Sequence, residues 1–358
     1  MANAARRETP TIESWRPLIA KYQRPEARFA LLQLATTLVP LALVFVTMYW
    51  LLALSFWWTL PLMLPAAALL VRTFVLLHDC AHGSFFPSRR ANQIVGSVTG
   101  LLTLIPFEHW RHEHALHHAS AGDLDRRGHG DVGTLTVREY LARTPGGKLR
   151  YRLIRHPIFF LLVGPIYFVL DKRLPPRGAT AGRAQVTSVW TTNLAILLVG
   201  GAMASLFGAR VFLVYLPAYY IATIAGLWLF FVQHQFEGTY WEDHAEWDYA
   251  TAAIEGSSYF QLPALLEWIT GSIGFHHVHH LGPRIPNYNL RRCHAENPMF
   301  HRATVVTLRQ SLSALRLALW DEETGRLVPF DRAPKDGASR RLLGHPVTAM
   351  VTIDTDGR

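Results

Sequence analysis

Two long stretches with almost no charged residues limit what this chain can fold into more than any other feature. The first runs from Leu31 to Leu77 with Arg72 as its single charge, and the second runs from Val186 to Val232 with an interruption at residues 207–210. A helix needs about 20 apolar residues to cross a bilayer. Each stretch therefore predicts two membrane-spanning helices joined by a short turn, which is a transmembrane hairpin.

The composition agrees with a membrane protein. Hydrophobic residues make up 50% of the 358 residues and charged residues only 17%, against about 25% charged residues in soluble domains. The two cysteines, Cys80 and Cys293, are too few for a disulfide framework or a thiolate metal site. The first 29 residues lack an apolar core with a cleavage pattern, so we expect no cleaved secretory signal.

Positive charge predicts the orientation in the membrane. The formal net charge is +9, and lysine and arginine are frequent in the N-terminal arm and in segment 89–183, whereas Arg210 is the one basic residue in a predicted hairpin turn. Cytosolic loops carry such an excess, so we expect both termini and the middle segment in the cytosol. The excess of basic residues is explained by the orientation of the protein in the membrane and by attraction to anionic lipid headgroups. Aromatic residues are not interleaved along a basic groove, so no nucleic-acid partner is predicted.

The remaining sequence is divided by the two hairpins. Residues 158–170 form a third apolar segment, which is too short to span a bilayer and is predicted to lie in the interface. The predicted regions are a cytosolic arm (1–30), hairpin 1 (31–77), a cytosolic region (78–185), hairpin 2 (186–233), a second cytosolic region (234–330) and a polar tail (331–358).

Histidine is the unusual residue, with 18 copies, and it is concentrated in three motifs. His78 and His82 lie four residues apart at the end of the second predicted span, which places both rings on one helical face. Two imidazoles in this arrangement can chelate one metal ion. Taken alone, the same spacing also suits histidines at the membrane interface or at a helix cap.

The second motif, WRHEHALHH at residues 110–118, is more specific. His114, His117 and His118 have the spacing i, i+3, i+4 and share one helical face. A zinc protease of the HExxH type is excluded, because the fifth position counted from His112 is Leu116.

The third motif, FHHVHH at residues 275–280, repeats that spacing in His276, His279 and His280. His277 falls outside the pattern and is predicted to be a solvated ring or one that supports the ligands, with metal ligation as the alternative. His234 lies where the fourth span returns to the cytosol, at a depth where a lone ionisable residue is a candidate for function. The alternative for His234 is a polar side chain that reaches the interface from a helix end.

Eight histidines, with His234 as a possible ninth, exceed what one metal ion can use. Nitrogen-only ligation suits iron, copper, nickel or zinc. Eight ligands are enough for two metal ions with four histidines each. The predicted fold class is an all-α integral membrane protein with four transmembrane helices in two hairpins. A cytosolic helical cap is predicted to carry the two-metal site.

The three motifs resemble those of the membrane-bound, histidine-box fatty acid desaturases, and within them the bacterial and plant-like acyl-lipid desaturases. The resemblance rests on HDCAHGSFF (78–86), WRHEHALHH (110–118), VQHQFE (232–237) and GSIGFHHVHHLGPRIPNYNL (271–290), and it covers residues 31–299. It implies a non-haem centre of two iron ions, with dioxygen as co-substrate and electrons from an external donor. The ligands that it implies are His78, His82, His114, His117, His118, His234, His276, His279 and His280.

Two positions depart from the family pattern, and one signature of a fused domain is absent. Ala81 stands where relatives often carry glycine, and Phe230 stands where the acyl-CoA branch has an asparagine. The HPGG signature of a fused cytochrome b5 is absent, since residues 144–147 are TPGG. The resemblance therefore implies a separate electron donor, ferredoxin or a similar protein, and an inner-membrane location if the chain is bacterial.

The function that the resemblance implies is an oxygen-dependent acyl-lipid desaturase that introduces a cis double bond, with the Δ12 (ω-6) position favoured. A related alternative is a di-iron hydroxylase or carotenoid ketolase. A metal-binding transporter is disfavoured, because its ligands would lie near the bilayer midplane and not at helix ends.

Other residues are expected to support the site. Carboxylates orient metal-bound imidazoles, and the candidates are Asp79, Glu108, Glu113, Glu237 and Asp243. The aromatic residues that could line an apolar tunnel for the acyl chain are Phe85, Phe86, Phe107, Trp110, Tyr240, Trp241, Trp247, Tyr259 and Phe260.

Overall fold

The computed structural model describes residues 12–128, 132–176 and 182–332. Residues 1–11 of the predicted N-terminal arm and residues 333–358 of the predicted polar tail lie outside these ranges. Helices account for most of the described chain, in agreement with the predicted fold class.

The helices are α1 (Ile12–Ala20), α2 (Ala27–Leu52), α3 (Leu60–Ala81), α4 (Arg89–Leu102), α5 (Phe107–Ser120), α6 (Val137–Ala142), α7 (Pro145–Ile154), α8 (Pro157–Leu162), α9 (Gly164–Asp171), α10 (Arg183–Phe207), α11 (Phe212–His234), α12 (Tyr249–Glu255), α13 (Ala264–Ile269), α14 (His276–Leu281), α15 (Asn287–Glu296) and α16 (Leu308–Ala314). The strands are β1 (Leu135–Thr136), β2 (Tyr259–Gln261), β3 (Val305–Thr307), β4 (Leu319–Asp321) and β5 (Arg326–Val328). β4 pairs in parallel with β1 and antiparallel with β5, while β2 pairs in parallel with β3.

Four helical segments of the described chain are long and apolar enough to cross a membrane. They are Ala27–Leu52, Phe56–Ala81, Arg183–Phe207 and Ala209–His234. The predicted turn near residues 52–56 and the interruption at residues 207–210 coincide with the breaks between them. The apolar window of Phe56–Ala81 is 61% buried, against 6% for that of Arg183–Phe207. The second helix of hairpin 1 is therefore a central helix, and α10 presents most of its surface to the surroundings.

Arg72, the single charge of the first apolar stretch, is buried on α3. Its Nε donates to Thr37 Oγ1 on α2 at 3.0 Å, and its Nη1 donates to the carbonyl oxygen of Trp268 on α13. The guanidinium also lies over the Trp268 ring, 4.2 Å from its centre. A buried charge is stable only when it is well partnered. Arg72 therefore ties both helices of hairpin 1 to the segment that precedes the third histidine motif.

The predicted interfacial segment 158–170 forms α8 and α9, which have six and eight residues. Neither is long enough to span a bilayer. Ile158 and Leu170 are 63% and 60% exposed, so apolar side chains face outward along this segment. Its place at the membrane interface stays a prediction.

The N-terminal helix α1 and the residues after it pack on the region that follows the third histidine motif. Trp15, Ile19 and Tyr22 are buried in one apolar cluster with Leu281 and Ile285, which follow the third histidine motif. The Tyr22 hydroxyl donates to Glu296 on α15 at 2.6 Å. Residues near the N-terminus thus pack against the segment that directly follows the third histidine motif.

Candidate metal centre

The first motif lies at the end of a buried helix. His78 is in the last turn of α3 and His82 is its C-terminal cap, with ring centres 4.8 Å apart. The carboxylate of Asp79 is also buried: one oxygen accepts from the Asn287 backbone N–H at 2.7 Å, and the other lies 3.4 Å from His78 Nδ1. This carboxylate therefore links the first motif to the start of α15.

The second motif lies on α5, whose two faces differ. His114, His117 and His118 are buried, whereas Ala115 and Ala119 are exposed. Trp110 stacks on the His114 ring at 4.4 Å with an interplanar angle of 17°. The spacing i, i+3, i+4 puts all three imidazoles on the inner face, and the indole covers one side of them.

The third motif is α14, a short helix held in place by a close backbone contact. Gly274 precedes it, and its carbonyl oxygen accepts from the Phe260 N–H of β2 at 2.8 Å. A Cβ atom at Gly274 would lie 2.4 Å from the Phe260 carbonyl oxygen, so only glycine fits there without a shift. This contact fixes where α14 starts and therefore where its histidines point.

The structure brings all nine predicted ligand histidines together, in two groups. The five-histidine group is His78, His82, His114, His118 and His279, and the four-histidine group is His117, His234, His276 and His280. Within each group the ligand nitrogens lie within 4.8 Å of one another. The His118 and His280 rings stack at 4.1 Å, so the groups adjoin. The expected division of eight histidines into four and four is wrong, because the eight motif histidines divide into five and three, and His234 completes the smaller group as its fourth member.

The nitrogens that converge are the Nε2 atoms. In the five-histidine group His118 Nε2 lies 3.1 Å from that of His114 and 3.0 Å from that of His279. In the four-histidine group His234 Nε2 lies 3.1 Å from that of His117 and 2.9 Å from that of His276. Two nitrogens bound to one ion at about 2.1 Å each would be about 3 to 3.4 Å apart. The spacing therefore fits a shared metal ion.

The protonation of these rings also fits metal binding. Burial lowers the pKa of His82, His114, His117, His118, His276, His279 and His280 well below the usual value, and neighbouring imidazoles lower it further. The imidazoles are therefore neutral at physiological pH, and a neutral imidazole is the form that binds a metal ion. The His78 and His82 Nε2 atoms have no hydrogen-bond partner within the described chain, which leaves their lone pairs available.

His277 lies outside both groups. It is fully buried, and its Nε2 is 2.9 Å from Nδ1 of His294 on α15. Burial, and then His294, lowers the pKa of His277 to about 3. The contact with His294 was not predicted, because nothing in the spacing of the third motif indicates a partner on a later helix.

Asp79 is the one of the five candidate carboxylates that contacts a histidine of the two groups. Asp79 lies beside His78, as described above. Glu113 pairs with Lys172 at 2.6 Å and lies 3.7 Å from His109, which belongs to neither group. Glu108 forms an ion pair with Arg111, and Glu237 and Asp243 are exposed.

Of two cavities in the described chain, one adjoins a histidine group. A small one of about 10 Å³ adjoins the four-histidine group and is lined by His117, Ala121, Gly122, Val132, His234, Gln235, Tyr240, Trp241 and Gly256. A larger groove of about 650 Å³ lies between α4, α5 and α10, and Phe107 and Ser188 are part of its lining.

Of the aromatic residues expected to line a tunnel, Tyr240 and Trp241 line the small cavity and Phe107 lines the groove. Phe85, Phe86 and Trp110 are buried in an apolar cluster, and Trp247, Tyr259 and Phe260 line neither cavity.

Comparison with known proteins gives one consistent result. The family model described as fatty acid desaturase matches residues 55–309. A fatty acid desaturase of Bacillus subtilis is 43% identical over 87% of this chain and 89% of the relative. An omega-3 fatty acid desaturase of the endoplasmic reticulum of Nicotiana tabacum is 31% identical over 61% of this chain and 59% of the relative. An sn-1 oleoyl-lipid 12-desaturase of Synechocystis is 29% identical over 66% of this chain and 68% of the relative.

Proposed function

Because this chain belongs to the fatty acid desaturase family, we propose that it is an oxygen-dependent acyl-lipid desaturase that introduces a cis double bond into an acyl chain of a membrane lipid. The observation that carries this proposal is the convergence of nine histidines at the ends of membrane helices and on the adjoining short helices. The groove between α4, α5 and α10 supports a lipid substrate, since α10 is one of the helices that could span the membrane.

The two histidine groups are proposed to hold one iron ion each. When bound, the two ions would supply the oxygen activation that breaking an unactivated C–H bond requires. The protein's own contribution is a set of neutral, preoriented imidazoles. Asp79 holds His78, the backbone carbonyl of Gly256 lies 3.4 Å from His234 Nδ1, and Trp110 shields His114 from water. Such outer contacts fix ring orientation and strengthen the nitrogen as a ligand.

The double bond is proposed to form at the Δ12 (ω-6) position. The name of the Synechocystis relative, an sn-1 oleoyl-lipid 12-desaturase, supports this position. Two other cyanobacterial relatives are sn-1 acyl-lipid omega-3 desaturases, at 28% and 27% identity, and they favour the ω-3 position as the second candidate.

The experiment that tests this function is expression in a host whose lipids contain oleoyl chains and no polyunsaturated chains. We expect a new diunsaturated acyl chain in the membrane lipids, with the second double bond at Δ12, located by gas chromatography and mass spectrometry of the methyl esters. The His279→Ala variant is the inactive control. A bond at the ω-3 position would replace the Δ12 proposal, a hydroxylated or ketolated product would support the alternative chemistry, and unchanged lipids with bound iron and reduced donor would contradict the function.

The electrons are proposed to come from ferredoxin or a similar separate protein on the cytosolic side of the bacterial inner membrane. Two relatives whose names specify ferredoxin support this donor. The test is turnover by the purified protein with reduced ferredoxin as the sole electron source. A requirement for a different donor protein would overturn this part of the proposal and leave the reaction itself intact.

A further inference from the structure

A buried guanidinium lies close to the four-histidine group. Arg155 follows the last residue of α7 and is only 5% exposed. Its Nη2 donates to Gln235 Oε1 at 2.9 Å and to the carbonyl oxygen of Leu317 at 2.7 Å. Its Nε and Nη1 atoms have no hydrogen-bond partner among the residues that the structure describes. Gln235 is therefore the polar side chain on which this buried charge acts.

This contact determines which way the Gln235 amide points. A guanidinium has donors and no acceptor, so the atom of Gln235 that faces Arg155 must be the carbonyl oxygen. Thr134 Oγ1 lies 3.4 Å from the same oxygen. The amide nitrogen consequently points away from Arg155, and the two side-chain hydrogen bonds of Gln235 within the described ranges both use its carbonyl oxygen. A cationic donor on the carbonyl oxygen also polarises the amide, which makes its N–H groups better donors.

The side chain of Gln235 borders the small cavity beside the four-histidine group. His117 and His234, two members of that group, line the same cavity, whose volume is about 10 Å³. This volume is about what one water molecule needs, and a buried water requires polar partners. Gln235 is 1% exposed, so its free N–H groups are available to an occupant of this cavity and not to bulk solvent.

We propose that Gln235 donates a hydrogen bond to a small oxygen-containing ligand, water or dioxygen, held in this cavity beside the four-histidine group. Arg155 is the positioning residue that keeps the amide nitrogen directed at that ligand. This inference rests on the proposed function, because it requires a metal ion in the four-histidine group. It makes that group, and not the five-histidine group, the place where small ligands enter.

Azide bound to ferric iron is a suitable probe, because it accepts hydrogen bonds and gives a visible charge-transfer absorption. The metal-loaded protein would be titrated with azide in detergent, without lipid substrate or electron donor. For Gln235→Leu we expect about five- to tenfold weaker azide binding at unchanged metal content, as for the loss of one hydrogen bond. Arg155→Met should weaken azide binding in the same direction, and Arg155→Lys, which keeps a charged donor, should recover part of it.

Gln233→Leu is the matched control. Gln233 is the same residue type two positions earlier on α11, it does not line the cavity, and its Nε2 donates to the Ile273 carbonyl oxygen at 2.9 Å. We expect this variant to bind azide as the unaltered protein does. The inference would be wrong if Gln235→Leu bound azide as tightly as the wild-type protein, or if Gln233→Leu weakened azide binding equally. Either result would leave the proposed desaturase function standing. A protein that bound no metal would overturn both the inference and the proposed function.

Discussion

The five-histidine and four-histidine groups are built from shared helices but differ in their surroundings. Both take ligands from α5 and α14, and the third contributor is the end of α3 for one and the end of α11 for the other. The five-histidine group is flanked by Trp110 and by the buried carboxylate of Asp79. The four-histidine group has a backbone carbonyl and a small cavity instead. Similar donor sets thus lie in unlike surroundings: the five-histidine group is shielded by an indole, and the four-histidine group adjoins a cavity.

The largest effect is expected from removing one ligand of either group. His279→Ala in the five-histidine group and His276→Ala in the four-histidine group should each abolish turnover, because oxygen activation needs both ions. If each group holds its own ion, each variant should lose about half of the bound iron, measured by metal analysis of the purified protein. Loss of all iron in both variants would show that the groups form one cooperative site. Full iron and full activity in either variant would contradict the assignment of that ligand.

A smaller effect is expected from the carboxylate that distinguishes the five-histidine group. Asp79→Asn keeps the size of the side chain but leaves one acceptor oxygen instead of two, so the side chain cannot accept from both the Asn287 N–H and His78 Nδ1. Loss of such an outer contact typically lowers metal affinity or activity about 10- to 100-fold. The measurement is the chelator concentration that removes half of the iron, with turnover in parallel. Glu237→Gln, at an exposed position, is the control and should change neither quantity.

The smallest effect on activity is expected at His277, the one histidine of its motif that faces away from both groups. His277→Ala should retain the iron, since the ring contacts His294 and neither group. Loss of a buried hydrogen bond and of the packed ring should lower the free energy of unfolding by about 1 to 3 kcal/mol. Thermal unfolding of the iron-loaded protein measures this change. Iron loss as large as that of His279→Ala would show that His277 belongs to the centre.

The spacing of the motifs predicted more of the site than of its surroundings. The pattern i, i+3, i+4 depends only on helical geometry, so it predicted which faces of α5 and α14 carry the converging histidines. The apolar stretches predicted the four long helices for the same reason, since the length needed to span a bilayer is a local property.

Contacts between distant segments could not be predicted in this way. Arg155 and Gln235 are 80 residues apart, and Asp79 and Asn287 are 208 residues apart. No periodicity relates such positions, and most of the candidate carboxylates turned out to pair with nearby bases or to be exposed. The division into five and four histidines likewise depends on the tertiary arrangement, which decides that His117 and His118, although adjacent, join different groups.

The packing of α1 has a consequence for biosynthesis. Ile19 and Tyr22 are buried against residues that are synthesised more than 250 positions later, and the Tyr22 hydroxyl bonds to Glu296. During translation, at about 5 to 20 residues per second, the N-terminal helix therefore waits for tens of seconds with its apolar face unpaired. A chain terminated before α15 would leave this face exposed permanently. An exposed apolar face on α1 is therefore the expected property of a chain that ends before α15, and exposed apolar surface of this kind promotes aggregation.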